Sequence, residues 1–271
     1  IRTKSVEHKN SIPRELLDEV FKCDEEKSSK VVANIASLCF QTSKRFYIIG
    51  KFQEKIVKMA KALSSSTRDD DILSGLSLFE SLLEFDQDVV GKSLSSESLA
   101  YIIKNCSSKN TFVMEKCSVT IFKFILFGGK DCESLLMSSP VLKNWFVPFM
   151  NIYENKTIKF FAYLTVTYIR VVCDNDHEMF RNGILDDVVS WMSNEENHNY
   201  LLAHLTFDTF DIKKMYEKLL LMMTGRCKVA HTLASFLFYF KTSRNFKTEK
   251  VIYEIEGVVT ALKRIALMSN E

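Results

Sequence analysis

Apolar stretches of helical periodicity begin at near-regular intervals along this 271-residue chain, and that regularity limits the fold more than any other feature. The runs VVANIASLCF, ILSGLSLFESLLEF, KCSVTIFKFILF and KFFAYLTVTYIRVVC start near residues 31, 72, 116 and 159, so the steps between them are 41, 44 and 43. A fifth run, VAHTLASFLFYF, starts near 229, a step of 70. Within each run apolar residues recur at i, i+3, i+4 and i+7, the stripe of a helix that buries one face. Each run is followed by a second amphipathic helix, ending in IVKMAKAL, LAYIIKNC, NWFVPFM, LDDVVSWM and VVTALKRIAL.

One such helical pair cannot cover its own apolar face, whereas stacked neighbours bury theirs in a continuous core. A step of about 40–47 residues is that of armadillo and HEAT units. The expected fold is therefore all-α: a right-handed superhelical solenoid of five helical repeats in a single domain over 1–271. Residues 1–10 are expected to fray, and 193–228 to form an insertion before the last repeat, a loop with short helical pieces. Polar connectors are expected at Thr42-Ser43-Lys44, Asp86-Gln87-Asp88, Gly128-Gly129-Lys130-Asp131 and Asp174-Asn175-Asp176, with Gly128-Gly129 ending a helix. Short helices shared between repeats are expected to begin near Thr67-Arg68-Asp69 and Asn151-Ile152. Only 3 Pro and 8 Gly argue against the many turns of a β-sandwich or barrel.

Composition removes several function classes. The net charge of +2 lacks the basic excess of a dedicated nucleic-acid binder, so no nucleic-acid partner is expected. The 7 cysteines are odd in number, and none form a C-x-x-C pair. Free thiols in a reducing, cytoplasmic compartment are the expectation. The most apolar stretch, 158–173, is too short for a transmembrane segment and contains Lys159 and Arg170.

No motif assembles a catalytic or metal site. Gly128-Gly129-Lys130 departs from a phosphate loop, with Phe124 where the first glycine belongs and Asp131 where Ser or Thr belongs. Cys173, Asp174, Asp176, His177 and Glu178 are crowded in sequence without tetrahedral ligand spacing, and read as a helix end with a capping loop. His198, His204 and His231, with Asp208 and Asp211, lie near no nucleophile motif. Lys241, Arg244, Lys247 and Lys250 read as a solvated inter-helix loop, with an anion-binding or protein-docking patch as the alternative. Trp145, Phe146 and Phe149 read as core, with Pro148 as a kink or the start of a new turn.

The segment NWFVPFMNIYENKTIKFFAYLTVTYIRVVCDNDHEMFRNGILDDVVSWM resembles the armadillo regulatory domain of the sterile-alpha-and-TIR-motif NAD hydrolases. There a Trp-Leu-Phe-Pro-Leu segment precedes an Ala-Cys-Leu-Ala helix and then a Ser-Gly-Thr-Leu helix. Here the matching pieces are Trp145 to Phe149, Phe161-Ala162-Tyr163-Leu164, and Asn182-Gly183-Ile184-Leu185 to Val189. The end of the chain, from Leu233 to Glu271, resembles the family's last repeat. The resemblance implies an autoinhibitory domain without catalysis of its own. It implies that NAD or nicotinamide mononucleotide is an allosteric ligand held in the groove, with no tightly bound cofactor. It also implies sterile-alpha and TIR domains of the same or neighbouring chains as partners, in a homo-oligomer. Where the family has a His and a Lys three residues apart, this chain has Ser81 and Glu84. Where it has adjacent Glu-Gln and a later Arg, this chain has Ile35, Ala36 and Ser43. The candidate groove residues are therefore Lys51, Arg170 and Arg226, with no catalytic and no metal-binding residue expected.

Overall fold

The computed structural model describes residues 13–22, 45–83, 96–151, 155–173, 175, 177–204 and a few positions between 217 and 263. The connectors at 42–44 and 86–88, Arg226 and the basic stretch 241–250 lie outside the described residues. Between residues 13 and 204 the described residues form the helices α1 (Arg14–Lys22), α2 (Arg45–Ser64), α3 (Asp69–Leu83), α4 (Ser96–Lys104), α5 (Thr111–Leu136), α6 (Ser139–Asn151), α7 (Lys156–Val171), α8 (Glu178–Arg181), α9 (Ile184–Met192) and α10 (Glu195–His204). No strand occurs among the described residues. Nor is any helix among them long and apolar enough to cross a membrane.

Local chemistry sets the helix starts. Three aspartates, Asp69 to Asp71, occupy the first turn of α3, where carboxylates complement the helix dipole. Asn110 caps α5 by accepting the Phe112 N–H at 2.9 Å, and Asn155 caps α7 by accepting that of Ile158 at 3.0 Å. Gly183, at φ +86°, enters α9 through a left-handed conformation that costs a glycine little. The α2 helix breaks its regular geometry at Phe52 (φ −126°, ψ 16°).

The helices form two layers. In one, α3 packs on α5, α5 on α7 and α7 on α10; in the other, α2 and α4 adjoin, as do α4 and α6. Long-range side-chain bonds run at the repeat length. Asn110 Nδ2 donates to Asp69 (2.8 Å, 41 residues apart), and Asn155 Nδ2 to Glu115 (3.1 Å, 40 apart). Lys156 reaches Glu196 at 2.8 Å, again 40 apart. Asn105 bonds the Ser64 carbonyl at 2.8 Å (41 apart), and Asn175 bonds Glu133 (42 apart). The caps of α5 and α7 thus hold the N-terminal ends of α3 and α5.

Four local expectations change. The α5 helix runs unbroken through Gly128 and Gly129 to Leu136. Two interior glycines cost about 1 kcal/mol each relative to alanine. Burial of Leu126, Phe127, Cys132 and Leu136 on either side offsets that cost, and the helix ends instead at Met137. No separate short helix begins at Thr67: residues 65–68 form a tight turn, in which Ser66 Oγ accepts the Arg68 N–H at 3.1 Å, leading directly into α3. The stretch read as an insertion opens with α10, which packs on α7 at the repeat spacing. Weak amphipathicity in EENHNYLLAH hides that helix from a periodicity search. Pro148 lies inside α6 rather than at a new turn.

The core is continuous along both layers. Phe79 meets Phe124 edge-on at 6.2 Å and Phe122 meets Phe161 at 5.8 Å, which carries aromatic packing from α3 through α5 to α7. Trp145 is fully buried, and its indole N–H donates to the Leu136 carbonyl at 3.1 Å, satisfying an acceptor that the end of α5 leaves open.

Cys106 and Cys117 are buried, with Sγ atoms 3.6 and 3.7 Å from the same Ile102 carbonyl. Burial pushes the Cys106 thiol well above its ordinary range. A thiol reagent at neutral pH should therefore leave both residues unmodified in the native chain and label them only on unfolding. Native-state labelling at the rate of a small free thiol would contradict this packing.

Candidate functional site

The face where α3 meets α5 holds the chain's most unusual chemistry. Glu80 sits in the apolar run near the C-terminal end of α3 and is buried. From α5, Lys123 Nζ approaches Glu80 Oε2 at 2.8 Å and Lys116 Nζ approaches Oε1 at 3.1 Å. The Thr120 hydroxyl lies 3.0 Å from Glu80 Oε1 and 2.7 Å from the Lys116 carbonyl, two acceptors for one proton. Residues 116, 120 and 123 share one face of α5 at helical spacing, so one carboxylate meets all three.

Burial alone would raise the Glu80 pKa, but the Lys123 and Lys116 ammoniums outweigh it and hold the carboxyl below the usual range. The cluster carries two cations and one anion. The Lys123 side chain is 3% exposed while that of Lys116 is 30% exposed, so only Lys116 is within easy reach of solvent. Nothing in the cluster is a nucleophile beside a base. Among the described residues no group of three or more His, Cys, Asp or Glu side chains is placed to hold a metal ion.

Ser81 adjoins this cluster on α3, with its hydroxyl donating to the Ser77 carbonyl at 2.9 Å. Glu84 lies outside the described residues, as do Ile35, Ala36 and Ser43. The chain thus presents its cations to this face from α5.

The candidate groove residues do not converge on the cluster. Lys51, on α2, donates to Asp18 Oδ2 of α1 at 2.5 Å and lies 3.1 Å from the Tyr47 hydroxyl. Its ammonium also sits 5.4 Å and 5.5 Å from the ring centres of Tyr47 and Phe52. Hydrogen bonds from Lys51 and Tyr47 hold the Asp18 pKa below its ordinary value, and the Asp18 bond raises that of Lys51. Lys51 therefore joins α1 to α2. Arg170 occupies the last turn of α7, where a cation complements the helix dipole. In the packing order α2–α3–α5–α7, two helices separate it from Lys51.

His177 Nδ1 accepts the Met179 N–H at 3.2 Å and caps α8. His231 is buried.

Sequence reading overlooked the Glu80 cluster. Its signal was a charged residue inside each of two consecutive apolar runs, LFESLL and TIFKFIL, 43 positions apart.

No protein-family model matches the chain. Over 200 residues, 71% of this chain, it is 22% identical to the NAD(+) hydrolase SARM1 of Danio rerio. Those residues span 28% of that protein's length. Among solved structures, the fold is similar to a designed armadillo repeat protein in complex with the peptide (KR)4, at a TM-score of 0.52 and 12% identity, covering 92% of this chain and 98% of that one. An engineered protein solved by a structural genomics consortium gives a TM-score of 0.51 at 12% identity, covering 94% and 99%. The fold is an all-α, armadillo-like helical solenoid, with a distant sequence similarity to an NAD hydrolase.

Proposed function

We propose that this chain is a regulatory armadillo domain of a TIR-type NAD hydrolase, non-catalytic itself, which restrains a catalytic domain and answers to a nucleotide through a weakened site. The observation that supports this reading most is the similarity to the NAD(+) hydrolase SARM1, which runs through 71% of a chain built as a helical solenoid. The substrate-cleaving chemistry is assigned to a TIR domain, with a sterile-alpha domain as the assembling element.

NAD or nicotinamide mononucleotide is the ligand class this reading requires. Ser81 and Glu84 stand where the family carries a His and a Lys. Each lost charge-assisted hydrogen bond is worth about 1.5–3 kcal/mol. Two losses weaken binding by roughly a hundredfold to ten-thousandfold. Calorimetric titration with each nucleotide should therefore give no heat at micromolar ligand. Micromolar affinity would mean that the phosphate site is rebuilt from other cations, and Lys116, Lys51, Arg170 and Arg226 would be the first to substitute.

A second reading is a scaffold that binds a peptide or helix of a partner protein. It draws support from the designed armadillo repeat protein of the same fold, which is in complex with the peptide (KR)4.

A further inference from the structure

A groove of ≈ 660 Å³ opens between α4 and α6, in the other layer from the Glu80 cluster. Ala100 and Ile103 of α4, Leu135 of α5 and Val141 of α6 give it an apolar floor. Apolar surface inside a polar rim is the anatomy of a protein-binding patch.

The rim decides the charge of the occupant. Glu97 is held by Lys61 at 2.6 Å, so its carboxylate is already matched. Lys104 is exposed and forms no ion pair among the described residues. Among its described lining residues the groove therefore offers one unmatched cation and no unmatched anion. Asn144, on the opposite wall, brings an amide that both donates and accepts. Its backbone carbonyl also lacks an i+4 donor, because Pro148 has no N–H. A peptide backbone supplies the complementary N–H and C=O groups.

We propose that this groove docks a short segment of a partner protein in which apolar side chains alternate with carboxylates: the apolar groups fill the floor and a carboxylate meets Lys104. This rests on the α4–α6 face alone and stands apart from the regulatory reading above.

The test is fluorescence anisotropy on the 271-residue chain with three labelled peptides of about ten residues, long enough to fill the ≈ 660 Å³ groove and run past its ends. One combines Leu and Glu, one replaces each Glu by Lys, and one replaces each Leu by Ser. The Leu–Glu peptide should bind, and the other two should bind at least about tenfold more weakly. Ala100→Arg, at an exposed position that tolerates a long side chain, should block the floor and reduce binding by about thirtyfold or more. Lys104→Glu should reverse the preference between the Glu and Lys peptides. Circular dichroism on both variants checks that the fold is retained. Equal affinity for all three peptides, no binding of the Leu–Glu peptide at millimolar concentration, or indifference to both substitutions would overturn the proposal.

Discussion

Glu80→Gln should destabilise the chain by about 3–5 kcal/mol, because it removes the carboxylate that faces the buried Lys123 ammonium at 2.8 Å. Lys116 and Lys123 both depend on that carboxylate, and only Lys116 has an easy path to water. Denaturant unfolding followed by circular dichroism at 222 nm measures the loss at about neutral pH. The pH dependence follows from the direction of the Glu80 shift. Its folded pKa lies below the ordinary value, so its contribution is complete above the ordinary glutamate range. That contribution is lost as pH falls through the folded value. The gap between parent and Glu80→Gln should therefore narrow under acid. A double variant, Glu80→Leu with Lys123→Met, should recover most of the loss, since a well-packed apolar pair often equals a buried ion pair. A Glu80→Gln protein within about 0.5 kcal/mol of the parent would show that the cluster does not hold α3 to α5.

Gly75→Ala is expected to be the second large effect, and its sign opposes helix propensity. In an open helix the change would gain about 1 kcal/mol. Here an added Cβ would lie 2.5 Å from Ser64 Oγ, 2.7 Å from the Ser64 nitrogen and 2.8 Å from the Ala60 carbonyl oxygen. Two of those atoms are backbone of α2 and cannot swing aside as a side chain does. The chain has to separate α2 from α3, at a net cost of about 1–3 kcal/mol, and Gly75→Val should cost more. Gly50, where an added Cβ would meet nothing within 4 Å, is the control: Gly50→Ala should be neutral or stabilising. Stabilisation by Gly75→Ala in thermal unfolding would show that the two helices are not in close contact.

The repeat was legible in the sequence because its physical cause is periodic. A step of 41–44 residues between apolar runs returns in the structure as hydrogen bonds spanning 40–42 residues, from Asn110 to Asp69 and from Asn155 to Glu115 among them. Local punctuation was less legible. Gly128-Gly129 carries a helix-ending signal, yet Cys132 and Leu136 continue the buried stripe, and tertiary burial prevails over intrinsic propensity. Short helical pieces were expected in 193–228, but not that α10 would stack on α7, because Lys156 meets Glu196 only across the stack. Lys51 reads in sequence as a free basic residue, and only three-dimensional packing sets it beside Asp18. The Glu80 cluster was hidden for the same reason: a lone charge in an apolar run looks like an exception until its partner 43 residues on is brought opposite.

The regulatory reading turns on what these helices do to NAD cleavage. The decisive measurement is the rate of nicotinamide release from NAD by the complete translation product, beside a version from which residues 1–271 are deleted. The reading predicts slow release by the complete protein and a rise of at least about tenfold once the solenoid is removed, the range of an ordinary allosteric coupling. The 271-residue chain alone should release none. Equal rates from the complete and shortened proteins, no NAD cleavage by either, or nicotinamide release by the isolated chain would contradict it.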